Sequence, residues 1–369
     1  MFLQMRIRKL LDGRKSRINV MKQRITSFDA FRAIAAFLIV LLHYPLKVSW
    51  EEEILVMTRI AVPFFFLTSG YFHYSNELQM NKIKKELKKI VGLILLVNLV
   101  YLILRIVIKG YYCHLAGRSI LHAIRKILLQ LTRKRFLFFN FGLAGHLWYL
   151  RAMIFVIIIF ILVKKWKLEE IVKWSIPILL LLDLCFGKYS QVVFGEPFSR
   201  KYVEPLSKFL GVGYVYFFLG YFLRQAGQKK WYAAVRQFLA KNPVIVMAGI
   251  LVIGCFNILE FHWLDAAGMD VNPYNYLGTF LLVMWIFIYL DSNQTWGSKT
   301  RLYQIGAKYS MYVYFYHIFV AKLISFLFQG TKIYKVYYMF RSFVLYAIVI
   351  GGTMVGFWIK KTMKKVSKV

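Results

Sequence analysis

The chain alternates between long apolar stretches and short loops in which lysine and arginine predominate. An apolar run of about 20 residues is long enough to cross the hydrocarbon core of a bilayer as an α-helix. This pattern predicts an all-α polytopic integral membrane protein with about ten transmembrane helices. The predicted spans lie near residues 28–46, 57–75, 90–108, 146–163, 174–187, 206–224, 243–260, 275–290, 309–328 and 340–359.

The composition supports this fold class. Of the 369 residues, 59% are hydrophobic, and the mean hydropathy of +0.55 is too high for a soluble protein of this size. No stretch is both long and polar enough to form a separate soluble domain. We therefore predict one membrane domain at residues 26–360, flanked by short basic tails at residues 1–25 and 361–369.

The net charge of +34 would fit a nucleic-acid-binding protein, but the positions of the basic residues favour another explanation. If both termini are cytoplasmic, more lysine and arginine residues fall in the inner loops than in the outer loops, as the positive-inside rule requires. The excess also attracts anionic lipid headgroups. We expect cytoplasmic termini, an anionic membrane surface as a partner, and no nucleic acid.

Three ionisable residues lie on one side of the first predicted span. Arg32 and His43 are eleven residues apart, which places them within about 20° of each other around a helix and about 16 Å apart along it. Asp29 precedes Arg32 by one turn. Charged groups are costly in a membrane and normally face a wet cavity or the bundle interior. We predict a functional role for these residues, with a structural polar stripe as the alternative.

The second predicted span contains Pro63 and Gly70, which break or weaken helices. In a membrane such residues either kink a helix for packing or leave carbonyl groups free to line a cavity. Ser69 of this span is a candidate substrate-binding residue.

Basic residues follow the second span on the predicted inner side. Lys84, Lys85, Lys88 and Lys89 occur within two helical turns, and Lys85 with Lys88 or Lys89 forms a basic face. This face either anchors the topology or binds the phosphate groups of a cytosolic donor such as a coenzyme A thioester.

Residues 109–145 place several basic residues on the predicted outer side. Between residues 120 and 131, isoleucine and leucine share one helical face and basic residues the other. The pattern predicts a helix lying in the membrane interface, with a re-entrant segment as the alternative.

Polar aromatic and basic residues open the fourth predicted span, and a tyrosine–histidine pair lies in the ninth. Such residues form an aromatic belt at the membrane interface, and a histidine among tyrosines often only packs. The alternative is a substrate site. The candidate substrate-binding residues of these two spans are His146, Trp148, Tyr149, Arg151, Tyr316 and His317.

The sequence gives no indication of a metal site. The three cysteines, Cys113, Cys185 and Cys255, are widely separated, and the chain has no HExxH motif. The cysteine positions therefore do not show the ligand spacing of a metal or redox centre. We expect no metal cofactor.

Taken in order, these motifs resemble those of acyltransferase family 3, the integral-membrane O-acyltransferases that modify cell-envelope polymers. Within that family, the first two spans and GEPF at residues 195–198 look closest to the membrane half of vancomycin-resistance serine racemases. The resemblance rests on Arg32-x10-His43, PFFFLTSGYF at residues 63–72, HLWYL at residues 146–150, and Ser310, Tyr314 and His317.

The resemblance implies a multi-pass enzyme of the bacterial cytoplasmic membrane. It would move an acetyl or other short acyl group from cytosolic acyl-CoA, expected to be acetyl-CoA, to a hydroxyl of a cell-envelope glycan or lipid-linked precursor. His43 would be the catalytic base or acyl acceptor, and Arg32 and Asp29 would order the inner half of the cavity. The alternative is a transporter or flippase for a small, amino-acid-like molecule, because intramembrane charges also bind substrates in transporters.

Overall fold

The computed structural model describes residues 24–131, 145–195, 200–268 and 275–366. Every regular element within these ranges is a helix. Nearly all of the predicted N-terminal tail, part of the segment 109–145, most of GEPF and residues 367–369 lie outside the described residues.

The helices are numbered here in chain order, with a short 3-10 turn at Gly145–Leu147 and a π-helical segment at Ser207–Tyr214. They are α1 (Thr26–His43), α2 (Glu51–Thr58), α3 (Ala61–His73), α4 (Met80–Leu115), α5 (Ile120–Leu131), α6 (Trp148–Trp166), α7 (Glu169–Phe186), α8 (Ser190–Phe194), α9 (Arg200–Leu206), α10 (Val215–Ala226), α11 (Lys230–Lys241), α12 (Pro243–Ala266), α13 (Leu277–Ser292), α14 (Leu302–Lys308), α15 (Ser310–Phe328) and α16 (Lys332–Val366).

Eight helical stretches of the described residues are long and apolar enough to cross a membrane, which supports the predicted polytopic membrane fold. Two of the predicted spans do not meet this standard. The fifth falls on α7, which carries charged residues at its start, and the eighth falls on α13, which has 16 residues. The eight stretches are Thr26–His43, Glu51–His73, Met80–Leu115, Gly145–Trp166, Val203–Ala226, Pro243–Ala266, Ser310–Phe328 and Lys332–Met363.

The apolar helices differ in how much of their surface the protein covers. About 61% of the apolar window of α1 is buried within the protein, against 28% for α12 and 22% for α16. Leu251, Val252 and Val355 are among the large apolar side chains left exposed. In a bilayer these faces contact lipid, so α1 is a central helix and α12 and α16 are peripheral.

Glycine residues allow the central helices to approach closely. A Cβ atom at Gly70 of α3 would lie 1.7 Å from the carbonyl oxygen of Phe217, and one at Gly220 of α10 would lie 2.0 Å from that of Leu67. Small residues at such crossings let the helix backbones approach closely, so that van der Waals packing stabilises the helix pair in lipid. Gly70 therefore has a packing role, as the contact point of α3 with α10.

The second predicted span is divided into α2 and α3. The break falls at Arg59 and Ile60, and Pro63 lies in the first turn of α3, where its missing N–H costs little. The break thus precedes the proline, which does not kink the helix from within.

The amphipathic segment predicted after the third span is helical in its described part. Helix α4 continues to Leu115, past the end at residue 108 that the sequence predicts, and α5 packs against it. Ile127 of α5 is buried, whereas Arg125 and Lys126 are exposed. One apolar and one basic face are therefore present, as the periodicity predicts.

Buried carboxylates fix the ends of α13. Glu260 accepts hydrogen bonds from the backbone N–H groups of Leu277 and Gly278, at 2.7 and 2.6 Å. At the other end, Asp291 accepts a hydrogen bond of 2.6 Å from the Tyr71 hydroxyl of α3. A carboxylate at a helix N-terminus satisfies backbone donors and complements the helix dipole.

Candidate active site

Three histidines from three separate helical segments meet inside the bundle. His43 ends α1, His146 lies in the 3-10 turn before α6, and His317 lies in α15. The ring centroids are 6.1 Å apart for His43 and His146, 5.2 Å for His43 and His317, and 5.1 Å for His146 and His317. The sequence analysis predicted each of these residues separately as a candidate site residue, and the fold places them next to one another.

The three histidines differ in burial and in hydrogen bonding. His317 is fully buried and His146 is 3% exposed, whereas His43 is exposed at one side of the cluster. Nδ1 of His317 lies 2.8 Å from the carbonyl oxygen of Val313. Because a carbonyl only accepts, Nδ1 carries the proton and Nε2 of the neutral ring is an acceptor. Nε2 has no hydrogen-bond partner among the described residues.

Tyrosine residues surround the histidine cluster. The ring centroids of Tyr101 and Tyr314 lie 5.6 and 5.5 Å from that of His146. The Tyr314 hydroxyl donates to the backbone carbonyl of His146, which fixes the turn that carries this histidine. The Tyr101 hydroxyl donates to the carbonyl of Phe315 at 3.0 Å, which joins α4 to α15.

A cavity of about 320 Å³ lies on one side of the cluster, lined by residues of α1, α3, the N-terminal part of α4, α6, α14 and the start of α15. We call it the Arg32 cavity. Its polar lining residues are Arg32, Thr68, Ser69, Glu86, Lys89, Tyr149, Ser310 and Tyr314.

A second cavity, of about 350 Å³, lies on the other side of the cluster, near the last turns of α4 and α15. We call it the Arg105 cavity. It is lined by Tyr44, Tyr101, Leu104, Arg105, Ile108, Lys109, Tyr112, Ala321, Lys322, Ser325, Phe326 and Gln329.

The order of residues along α15 shows how the cluster relates to the cavities. Ser310 and Tyr314 line the Arg32 cavity, His317 belongs to the cluster one turn later, and Lys322 lines the Arg105 cavity. Helix α4 repeats this order, with Lys89 in the first cavity and Tyr101 against the cluster. The histidines therefore lie between the two cavities.

Arg32 is held in the wall of the Arg32 cavity by Asp29. The Arg32 guanidinium donates to the Asp29 carboxylate at 3.0 Å, and Arg24 donates to the same group at 2.5 Å. Asp29 is 4% exposed and does not line the cavity. It acts on Arg32 and has no direct access to a ligand in the cavity.

The four candidate donor-binding lysines are separated by the fold. Lys89 lines the Arg32 cavity, whereas Lys84, Lys85 and Lys88 are exposed and do not line it. Glu86 also lines the cavity and forms an ion pair of 3.1 Å with His73.

The remaining candidates occupy different surroundings. Ser69 and Tyr149 line the Arg32 cavity, whereas Tyr316 stacks on Tyr312 and lines neither cavity. Arg151 lies close enough to Tyr314 for the two groups to interact electrostatically. Trp148 lies beneath the Lys208 ammonium, which is 5.5 Å from its ring centroid.

Several residues of the site were not predicted from the sequence. The charge of Lys208 acts on His43, yet Lys208 belongs to no motif. Tyr44 and Tyr101 also contact the cluster, through their rings against His317 and His146. Arg105 and Lys322 could have been predicted as candidates from the sequence, because each is a charged residue within an apolar span.

Comparison with known proteins identifies the family. The sequence profile of a family described as an acyltransferase domain, Acyl_transf_3, matches residues 25–361, which is nearly the whole chain. The chain belongs to this acyltransferase family. The match confirms the family resemblance noted in the motifs, and the histidine cluster lies within the matched region.

Two curated relatives are racemases. The chain is 33% identical over 142 residues to a serine/alanine racemase of Enterococcus gallinarum and 34% identical over 146 residues to an amino-acid racemase of Enterococcus faecalis. These matches cover 34% and 36% of this chain, but only 18% and 19% of the relatives. The chain thus matches less than a fifth of their length. No solved structure matches significantly.

Proposed function

We propose that this membrane acyltransferase moves a short acyl group from acyl-CoA to a hydroxyl of a cell-envelope glycan or lipid-linked precursor, with acetyl-CoA as the donor. The observation that carries the proposal is the position of the histidine cluster between two cavities with basic linings. A transferase brings two substrates to one reactive centre, and a cavity on each side of the cluster supports this arrangement. The histidines do not line either cavity themselves, but Tyr314 of one lining and Tyr101 of the other lie against His146.

The Arg32 cavity is the donor site in this proposal, and it faces the cytoplasm. Arg32 and Lys89 present positive charge to the coenzyme A phosphates. Its volume of about 320 Å³ suits the acyl-bearing arm better than a whole coenzyme A molecule. The nucleotide therefore stays at the mouth, where Lys85 extends the basic surface one turn beyond Lys89.

His43 performs the proton transfer in this proposal, because it is the exposed member of the cluster. Its imidazole takes the proton from the acceptor hydroxyl, and the oxygen attacks the thioester carbonyl. The carbon–sulfur bond then breaks, the acyl–oxygen ester forms, and the imidazolium returns the proton to the thiolate of coenzyme A. A positioned base of this kind typically contributes ~10²–10⁴-fold to the rate.

A ligand titration tests the donor site. Purified protein in a non-ionic detergent is unfolded by heat at increasing concentrations of acetyl-CoA. A ligand that binds only the folded protein raises the free energy of unfolding by about 2.7 kcal/mol at a hundred times its dissociation constant. We expect acetyl-CoA to stabilise the wild type and Lys89→Ala to weaken this effect.

The matched control is Lys84→Ala, because Lys84 is an exposed lysine of the same helix that does not line the cavity. Equal loss of stabilisation in both variants would contradict the assignment of the Arg32 cavity. No stabilisation of the wild type at any concentration would contradict the donor itself.

Transport or flipping of an amino acid is the second candidate function, and the names of the two relatives favour it. They are called serine/alanine racemase and amino-acid racemase, and both names refer to amino acids. Parallel titrations with L-serine and L-alanine discriminate between the candidates. Stabilisation by the amino acids together with none by acetyl-CoA would favour transport.

A further inference from the structure

Two tyrosines separate the Arg105 cavity from the histidine cluster. Tyr101 both lines this cavity and lies 5.6 Å from His146, and Tyr44 lines it and lies 6.4 Å from His317, measured between ring centroids. A ligand in the cavity is therefore one aromatic layer from the histidines.

The lining of this cavity carries positive charge that the described residues do not neutralise. Arg105, Lys109 and Lys322 line it, and no aspartate or glutamate does so among the described residues. None of the three forms an ion pair within that part of the chain, and the charges of Arg105 and Lys322 repel one another. The charge of Lys126 from α5 adds to the repulsion at Lys109.

Cationic side chains within a membrane protein are costly and normally pair with other groups or face a wet cavity, so this cationic cavity is a candidate anion site. Three features of the lining favour a phosphate ester as that anion. Arginine supplies a planar fork, lysine supplies point charges, and Ser325 and Gln329 supply neutral hydrogen-bonding groups. Tyr112 and Phe326 provide apolar surface for the rest of the ligand.

The helix geometry sets the distance between this anion and the cluster. Arg105 and Lys109 follow Tyr101 by one and two turns of α4, which is about 6 and 12 Å along the helix axis. An anionic group held by these residues leaves room for a short hydroxyl-bearing chain that reaches back towards His43, the exposed residue of the cluster.

We propose that the Arg105 cavity binds a hydroxyl-bearing phosphate ester, held at its phosphate by Arg105, Lys109 and Lys322, and that this ester is the acyl acceptor. Its role as acceptor rests on the proposed function, whereas its binding does not. The phosphate ester belongs either to a lipid headgroup or to a water-soluble polyol phosphate, and the following experiment distinguishes the two sources.

The experiment compares ligands with and without the phosphate charge. Full-length protein in a non-ionic detergent is unfolded by heat with phosphatidylglycerol or with phosphatidylcholine, and with glycerol 3-phosphate or with glycerol. We expect an anionic ligand to raise the midpoint temperature, and Arg105→Gln with Lys322→Gln to weaken its apparent affinity at least tenfold. The matched control is Lys332→Gln with Lys335→Gln, two exposed lysines that do not line the cavity.

Each outcome has a defined meaning. Stabilisation by phosphatidylglycerol alone supports a lipid source, and stabilisation by glycerol 3-phosphate supports a soluble one, provided that only the cavity variant loses it. Equal stabilisation by phosphatidylcholine shows unspecific lipid contact and overturns the proposal. An unaffected cavity variant, or no stabilisation by any anionic ligand, also overturns it.

The failure of this inference is distinguishable from the failure of the proposed function. If acetyl-CoA binds and is consumed while the anionic ligands have no effect, the transferase stands and the acceptor class is wrong. If the anionic ligand binds through Arg105 and Lys322 while acetyl-CoA does not bind, the result supports the anion site in the Arg105 cavity and contradicts acyl transfer from acetyl-CoA.

Discussion

At the scale of single residues, the three histidines of the cluster differ in how exposed they are to substrate. His43 is exposed and can touch a substrate, whereas His317 is fully buried and His146 nearly so. The bond from His317 to the carbonyl of Val313 fixes one tautomer and one ring orientation. We therefore expect His317 to act on the proposed reaction through His43, whose ring centroid is 5.2 Å away, as a positioning residue.

A pair of substitutions at His317 tests this division. The amide nitrogen of asparagine can replace Nδ1 as the donor to the Val313 carbonyl, whereas alanine cannot. We expect His317→Ala to lower kcat about 10–100-fold with little change in KM for acetyl-CoA, and His317→Asn to restore part of the loss. Steady-state kinetics separate the two constants. An equal loss in both variants would contradict a role in positioning.

Asp29 is the second residue whose role follows from its contacts. Its side chain is 6% exposed, whereas those of Arg32 and Arg24 are 26% and 57% exposed, so solvent screens part of the interaction. We expect Asp29→Asn to lower the free energy of unfolding by about 1–3 kcal/mol, less than a fully buried pair would lose. It should also raise KM for acetyl-CoA, because Arg32 loses its anchor.

Thermal unfolding and kinetics of Asp29→Asn check both effects. Glu170→Gln is the control, since Glu170 and Lys173 form an ion pair in which both side chains are exposed. A change in stability no larger than that of the control would show that Asp29 does not hold Arg32 in place.

At the scale of helices, the crossing of α3 and α10 positions one wall of the Arg32 cavity. Thr68 and Ser69 of α3 line the Arg32 cavity, and the adjacent Gly70 lies against the α10 backbone. Any change in the distance between these two helices therefore moves the cavity wall as well.

We expect Gly220→Ala to destabilise the protein by about 1–3 kcal/mol or more, because the new Cβ would lie 2.0 Å from the Leu67 carbonyl oxygen and the helices must separate. Gly92→Ala is the matched control, since its Cβ would meet nothing within 4 Å. Thermal unfolding in detergent compares the two. A midpoint for Gly220→Ala as high as that of the control would contradict the close crossing.

At the scale of the whole molecule, hydropathy was enough to predict a polytopic helical membrane protein, because apolar length is a local property. Hydropathy was not enough to show that α7 and α13 differ from the helices that are long and apolar enough to cross a membrane. The three histidines were each predicted as site residues, but their meeting depends on how α1, α6 and α15 pack. Periodicity does not specify that packing.

The lysines show the same limit. The sequence predicted a basic face after the second span, but only the rotation of α4 within the bundle decides that Lys89 and not Lys84 lines the cavity. The Arg105 cavity combines residues more than 200 positions apart, so no local sequence motif predicts it.

The predicted orientation places the two cavities on opposite sides of the membrane. In a chain with Cys113, Cys185 and Cys255 replaced by serine, Lys89→Cys and Lys322→Cys are treated with a membrane-impermeant maleimide on intact cells. We expect Lys322→Cys to be labelled directly and Lys89→Cys only after permeabilisation. The reverse pattern would place the Arg32 cavity outside and remove it from the cytosolic donor.

The most direct test of the central claim is acyl transfer by wild type and His43→Ala. Purified protein in liposomes receives labelled acetyl-CoA, and the released coenzyme A thiol and labelled acceptor are quantified, with His122→Ala as a control at an exposed histidine outside the cluster. We expect transfer by the wild type and the control, and a loss of at least ~10²-fold in folded His43→Ala. Transfer by His43→Ala at the wild-type rate would contradict the role of His43 as the base.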